Sequence, residues 1–270
     1  MDYFRGKVAL VTGASRGVGY ATAEELVREG AGVVISARGE GRLEESRQKL
    51  LDMGGRVVSC TGDVGVWEDA ASMVQAAIDN FGRLDIVINN AGVSMRGRFP
   101  ELSPEVLSRV IDTNLAGAVN VTRAAIDNVI DARGHVVFIS SIAGLFGLPG
   151  ASIYCASKGA LTGLCESMRL ELAADGVHLG VAYLGYTEHD PEKRILAADG
   201  SLVLQDRPAN HPQSLAASQI LKMIEKRKRR LIMTPIGKLG WAAYRVSPWL
   251  VERAVIWAQS SNLGIYKRFS

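Results

Sequence analysis

The chain has 270 residues, of which 47% are hydrophobic and 22% charged, and its formal net charge is +3. That composition excludes the disordered and fibrous classes, and the charge is too small to argue for a nucleic-acid partner. The length suits one α/β domain with a large buried core.

An apolar run at 8–11 follows Arg5, Gly6 and Lys7 and leads straight into a glycine turn. It reads as a first strand rather than a signal peptide. A helix follows from about 17 to 28, and Gly30 is placed to end it. Further β-branched runs lie at 33–35, 57–59, 86–88, 136–139 and 179–182. Helical segments alternate with them: 42–53, stopped by Gly54 and Gly55, then 67–81, followed by Gly82. A long helix begins at Ser103-Pro104-Glu105, where serine caps, proline fits the first turn and glutamate suits the positive helix end. The helix from about 152 to 174 carries Leu161, Leu164, Met168 and Leu172 at three- and four-residue steps, which marks its core face. Tyr154 and Lys158 are four apart on it, so they project on one face, one above the other.

Residues 187–212 are polar and contain Pro191, Pro208 and Pro212, so they read as a substrate lid. A helix at 213–229 and a last strand at 231–233 follow, and then an apolar, tryptophan-rich tail. Alternating helices and near-continuous apolar strands predict a doubly wound, mostly parallel seven-stranded sheet with helices on both faces. Residues 1–234 read as the main body of one domain, with 187–212 as its lid, and 235–270 as its C-terminal apolar helical extension. No stretch reaches the roughly 18 apolar residues of a spanning helix. Three cysteines, Cys60, Cys155 and Cys165, are odd in number and lack metal-ligand spacing, which suits a reducing, cytoplasmic compartment.

The first strand runs into Thr12-Gly13-Ala14-Ser15-Arg16-Gly17-Val18-Gly19. Glycines there let the backbone turn sharply and approach a pyrophosphate, and the helix N-terminus supplies free N–H groups and partial positive charge. Gly13, Ser15, Arg16, Gly17, Val18 and Gly19 are therefore candidate cofactor contacts. NAD sites place an acid about 20 residues past the turn, but here the second strand ends Ser36-Ala37-Arg38. Arg16 and Arg38 suit a 2′-phosphate, which favours NADP(H). The alternative leaves Arg38 solvated and turns Glu40 inward to bind ribose, as NAD(H) requires.

With Asp63-Val64, Asn89-Asn90-Ala91-Gly92, Asn114, Ser140-Ser141 and Tyr154-Cys155-Ala156-Ser157-Lys158 in order after this turn, the sequence resembles the short-chain dehydrogenase/reductase family over about residues 5–187. The resemblance implies a Rossmann-like fold, with Asp63 and Val64 holding the adenine and Asn90, Ala91 and Gly92 lining the ribose–nicotinamide path. It implies that Ser141 is the catalytic serine, thirteen residues before Tyr154, and that Asn114, within the long helix, organises a proton-relay water. It also implies a homodimer or homotetramer through the helices at 103–130 and 152–174. Tyr3 and Lys7 have the same four-residue spacing, but they precede the first strand with no chemistry around them, so the spacing alone is weak.

Carbonyl reduction puts negative charge on oxygen, which needs a proton. Tyrosine, with an ordinary pKa of about 10, is a poor base near neutrality until a nearby ammonium favours its phenolate. Lys158 is one turn away and can also hold the nicotinamide ribose. Tyr154 is then acid in reduction and base in oxidation, and Ser141 donates to the substrate oxygen. Tyr154 and Lys158 thus count as both catalytic and cofactor-binding. Cys155 projects about 100° away and reads as structural. His135, His178, His189 and His211 are scattered in the sequence, so no metal is expected. No G-x-S-x-G turn surrounds Ser141, which argues against a hydrolase.

Two features depart from the family pattern. Leu184-Gly185-Tyr186-Thr187 stands where Pro-Gly is common, and Thr187 takes the position that holds the carboxamide. Second, Lys222, Lys226, Arg227, Lys228, Arg229 and Arg230 face one acid, Glu225, and Trp241, Trp249 and Trp257 follow. Basic residues beside an apolar helix fit peripheral membrane contact through 222–260. They also fit a subunit interface, a cover over a hydrophobic pocket, or ordinary core and a solvated helix end. The expected reaction interconverts a ketone or aldehyde and its alcohol, on a hydrophobic small-molecule substrate. A non-catalytic NADP(H)-binding sensor needs only the cofactor half, and an isomerase or lyase on the same scaffold is the third reading.

Overall fold

The computed structural model describes residues 3–188, 193–204 and 211–260. Its strands, in chain order, are β1 (Val8–Thr12), β2 (Gly32–Ala37), β3 (Arg56–Thr61), β4 (Ile86–Asn89), β5 (His135–Ser141), β6 (His178–Leu184), β7 (Arg194–Leu196), β8 (Leu202–Leu204) and β9 (Arg230–Ile232). The helices are α1 (Gly17–Arg28), α2 (Glu40–Asp52), α3 (Trp67–Phe81), α4 (Pro104–Ile111), α5 (Gly117–Asp131), α6 (Ser152–Glu171), α7 (Gln213–Glu225), α8 (Pro235–Val246) and α9 (Pro248–Ser260). Seven strands form one sheet in the order β3-β2-β1-β4-β5-β6-β9, every neighbouring pair parallel. This is the doubly wound Rossmann-like architecture expected from the alternation.

Strand residues alternate between two apolar layers because successive side chains point to opposite faces. Ala9, Val11, Val33, Ile35 and Ile88 pack with Leu26 of α1, Leu43 of α2 and Ile220 of α7. Val8, Leu10, Val34, Val87 and Phe138 pack with Met73 of α3, Val121 of α5 and Leu161 of α6. The strand order reverses at β1, which lies between β2 and β4. Parallel sheets of this kind open a crevice at the carboxyl ends of the strands there.

Four expectations change. The polar segment 187–212 contains an antiparallel hairpin, β7–β8, joined by a turn with Gly200 at φ +87°; residues 189–192 and 205–210, with His189, Pro191 and Pro208, lie outside the described residues. The hairpin is held by Leu196, whose N–H donates to Ser94 O and whose O accepts from Arg96 N. The long helix from Ser103 is broken into α4 and α5 by a wide π-type turn at Asp112–Ala116, which contains Asn114. The helix expected to reach 229 ends at Glu225, because Arg227 takes a left-handed φ of +46° and turns the chain into β9. Tyr3 is not chemically isolated, since its hydroxyl lies 2.7 Å from His135 Nε2.

After β9, Thr234 caps α8 by accepting from Gly237 N, and Pro248 opens α9. No described helix is long and apolar enough to cross a membrane.

Candidate active site

A cavity of about 690 Å3 lies at the carboxyl ends of β1, β4, β5 and β6. One wall is the glycine turn. Gly17 has a φ of +66° and open space where a Cβ would stand. A Cβ on Gly19 would lie 2.5 Å from Gly13 O and 2.4 Å from Asn90 Nδ2, and one on Gly13 would lie 2.8 Å from Ala91 Cα. Both glycines therefore let the turn lie against the segment after β4. The N-terminus of α1 has no side-chain cap and no acid in its first turn, which leaves its N–H groups and partial charge available to a phosphate.

Thr12 at the end of β1 ties these pieces together. Its Oγ1 accepts from Asn90 N and Ala91 N, both at 3.0 Å, while Asn90 Nδ2 donates to Thr12 O at 2.8 Å. Asp63 is set by its own turn: its N–H donates to Asp69 Oδ2 and its Oδ1 accepts from Gly65 N. Asn120 Nδ2 donates to Val64 O at 3.2 Å. Arg38 lies 3.6 Å from Asp63. Arg16, Arg38 and Arg42 all line this end of the cavity, whereas Glu40 does not. Arg42 and the hub Thr12 were missed as site residues. A third arginine close after β2 was the readable signal for one; the other needed the pairing of β1 with β4.

Gly13, Ser15, Arg16, Gly17, Val18, Gly19, Arg38, Asp63, Val64, Asn90, Ala91, Gly92, Ser141, Tyr154, Lys158 and Thr187 all line this one cavity. Asn114 does not. It is buried behind the wall, where its Oδ1 accepts from Val93 N at 2.7 Å and its Nδ2 donates to Val93 O and Ser157 Oγ. A Cβ on Gly92 would lie 3.1 Å from Asn114 Oδ1 and 3.2 Å from Lys158 Nζ. The amide thus braces the segment after β4 against α6.

Lys158 is 4% exposed, and its Nζ donates to Ile139 O at 2.8 Å. Burial, with a smaller contribution from Lys193, pushes the ammonium down from 10.5 to about 8. It therefore stays mostly cationic at neutral pH. Ser140 Oγ donates to Lys158 O and Ser157 Oγ to Tyr154 O, so both ends of the Tyr154–Lys158 turn are pinned. Ser141 Oγ accepts from Ala143 N at 3.2 Å, which leaves its proton for another acceptor. Burial raises the Cys155 and Cys165 thiols, the latter to about 11, as befits packing residues.

Ser94, Leu148, Tyr186, Ile195, Leu196 and Leu202 also line the cavity. The last three come from the β7–β8 hairpin.

The histidines are not all scattered. His135 and His178 open β5 and β6, at the end of the sheet away from the cavity, with their Nδ1 atoms 3.0 Å apart. No group of three or more His, Cys, Asp or Glu is arranged to hold a metal among the described residues.

A short chain dehydrogenase family model matches residues 7–199. The 11-beta-hydroxysteroid dehydrogenase 1A of Arabidopsis thaliana is 37% identical over 202 residues, 74% of this chain and 58% of that protein. The chain therefore spans somewhat over half the length of that plant relative. Ketoacyl reductase HetN of a Nostoc species is 31% identical over 267 residues, 95% of this chain and 91% of its own. A solved short-chain dehydrogenase/reductase from Burkholderia phymatum, in complex with NAD, shares the fold with a TM-score of 0.82 at 23% identity, covering 93% of this chain and 96% of that one. The chain belongs to the short-chain dehydrogenase family.

Proposed function

We propose that this short-chain dehydrogenase is an NADP(H)-dependent oxidoreductase that interconverts a hydrophobic ketone or aldehyde and its alcohol. One observation carries the reading: Tyr154, Ser141 and the buried cation Lys158 face the same cavity as the uncapped glycine turn. The glycine turn, with the uncapped N-terminus of α1 beside it, fits a pyrophosphate. Three arginines at the adenosine end, with Glu40 turned elsewhere, favour the 2′-phosphate of NADP(H) over the free ribose of NAD(H).

When bound, NADP(H) supplies the hydride chemistry. The chain supplies position and the proton. Lys158 is held by Ile139 O and places a positive charge one helical turn from Tyr154, which favours the phenolate. Tyr154 gives its proton to the carbonyl oxygen in reduction and takes it back in oxidation. Ser141 donates to that oxygen as charge develops. Asn114 and Ser157 keep the wall after β4 and the helix in register. Thr187 stands where it would hold the cofactor's carboxamide, and the apolar hairpin lines the substrate end.

The same proposal includes association through the outer faces of α4, α5 and α6 into a homodimer or homotetramer, which light scattering tests. The three free cysteines suit a reducing, cytoplasmic compartment.

The test is Tyr154→Phe assayed for NADPH consumption across a panel of ketones and aldehydes. Turnover should fall by about 10²- to 10⁴-fold with NADPH affinity retained. Parent-like turnover in the variant, or no NADPH consumption by the parent on any carbonyl, refutes the reading.

A further inference from the structure

The last two described helices carry apolar residues outward, and the carbonyl chemistry does not account for them. On α8, Ile236, Leu239, Ala243 and Val246 recur at three-, four- and three-residue steps, so they form one stripe. All four are exposed, Ile236 at 82% and Val246 at 87%. The opposite face is the packed one. A Cβ on Gly237 would meet Ile142, one on Gly240 would meet Phe146, and the Tyr244 ring packs at a tilt against Phe146, centroids 6.2 Å apart. On α9, Trp249, Leu250, Ile256 and Trp257 are also exposed.

The charges on these helices are nearly of one sign. Lys238, Arg245 and Arg253 stand against the single acid Glu252. Two of the three lie over tryptophan rings, Arg245 over Trp241 and Arg253 over Trp249, both at 5.3 Å. The earlier basic run adds less than the sequence suggests. Arg230 is committed to Glu166 and to the Trp241 ring, and Arg227 donates to the backbone of Arg133 and Gly176.

We infer that α8 and α9 dock this protein on an anionic phospholipid bilayer, from which the neighbouring pocket draws its substrate. An outward apolar stripe, flanked by cations that rest on aromatic rings, is the arrangement of a helix lying in the headgroup plane. A second copy fits worse. A twofold interface through this face would set the same cations against each other with one acid each to offset them. The route to the pocket is short: Ile142, which packs on α8, itself lines the cavity, as does Leu148 further along the same segment. Gly185, two residues before Thr187, lies against Thr234, the α8 cap. The part concerning substrate rests on the oxidoreductase reading above.

The experiment uses the full chain with vesicles of phosphatidylcholine alone or with added phosphatidylglycerol. The protein should sediment with the anionic vesicles and not with the neutral ones. The double variant Val246→Asp/Ile256→Asp alters only exposed positions, and should lower that binding roughly tenfold or more. Its turnover of a water-soluble carbonyl should stay at the parent's rate, while turnover of a long-chain ketone dissolved in the vesicles should fall with binding. Failure of the parent to sediment, or unchanged binding by the variant, overturns the inference. So does light scattering that shows the variant dissociating from a parent oligomer that never bound vesicles. Sedimentation without turnover of any carbonyl would overturn the oxidoreductase reading and leave docking intact.

Discussion

Lys158 is a buried cation, and its cost to folding can be measured separately from its role in turnover. Its fall from 10.5 to about 8 corresponds to about 3 kcal/mol of destabilisation at neutral pH. Below about pH 8 both folded and unfolded chains hold the proton, and the folded state bears the full cost. Above it the folded state releases the proton first. The unfolded chain then binds more protons, and stability from this group rises until about pH 10.5. Between about pH 7 and about pH 9.5 the recovery comes to about 2 kcal/mol. Lys158→Met removes the charge and keeps most of the volume. It also leaves Ile139 O without this donor, at a cost of about 1–3 kcal/mol. The net change at pH 7 is therefore small, but its pH dependence isolates the charge. Urea unfolding of parent and variant, followed by tryptophan fluorescence at both pH values, gives the difference directly. The variant's relative stability should decline by about 2 kcal/mol from the lower pH to the higher, while its turnover is lost at both. A difference constant to within about 0.5 kcal/mol would refute the buried-cation reasoning.

Arg38→Ala should raise the KM for NADPH by about 10- to 100-fold and leave that for NADH nearly unchanged, since a charge-assisted phosphate bond contributes about 1.5–3 kcal/mol; equal loss with both cofactors would sink the NADP(H) assignment. Gly19→Ala forces a methyl group to 2.5 Å from Gly13 O. It should cost about 1–3 kcal/mol of stability and most of the cofactor affinity, and a dye-monitored melt matching the parent's would contradict the packing argument. His135 and His178 are held below the ordinary histidine value of 6.5, each chiefly by burial and His135 further by His178. Both are neutral in the fold and take up protons on unfolding as pH drops below 6.5. Their stabilisation is therefore full above that pH and is lost progressively as pH falls from 6.5 towards the folded values of about 3 for His135 and about 4 for His178. His135→Gln should flatten the acid limb of the stability profile, and an unaltered limb would show that other groups set it.

The legible parts of the sequence were those fixed by local chemistry. The helices at 17–28 and 67–81 match α1 and α3 because apolar periodicity and a terminal glycine act within the segment itself. The glycine turn was readable for the same reason, since a residue that needs a left-handed φ declares itself. What failed depended on contacts far apart in the chain. The β7–β8 hairpin looked polar because Arg194 opens its first three-residue strand and Asp199 lies in its turn, and its pairing to the segment after β4 spans about a hundred residues. The π-type turn around Asn114 has no local breaker. It accompanies bonds to Val93 and Ser157, 21 and 43 residues away. The histidines seemed scattered because 43 residues separate them, yet parallel register sets His135 opposite His178.

That pair also exposes an asymmetry between the two ends of the sheet. Lys228 O can only accept, so His178 Nε2 carries the proton and its Nδ1 is bare. His135 must then donate from Nδ1, and its Nε2 accepts from Tyr3. One direction of donation satisfies every ring nitrogen, in a chain that joins the N-terminal segment, β5, β6 and the turn before β9. Beside it the buried Asp85 accepts from Val8 N and from two nitrogens of Arg83. The cavity end is different. It holds a buried ammonium at a cost, the first turn of α1 has no side-chain cap, and Ser36 Oγ and Asn89 Oδ1 are buried with no hydrogen-bond partner among the described residues. Buried polar groups are expensive when unpaired, so the closed end supplies polar satisfaction that the open end lacks. This division predicts where substitutions act. Changes at His135, His178 or Asp85 should lower stability and leave the Michaelis constants alone, whereas Lys158→Met should remove turnover at little cost in stability.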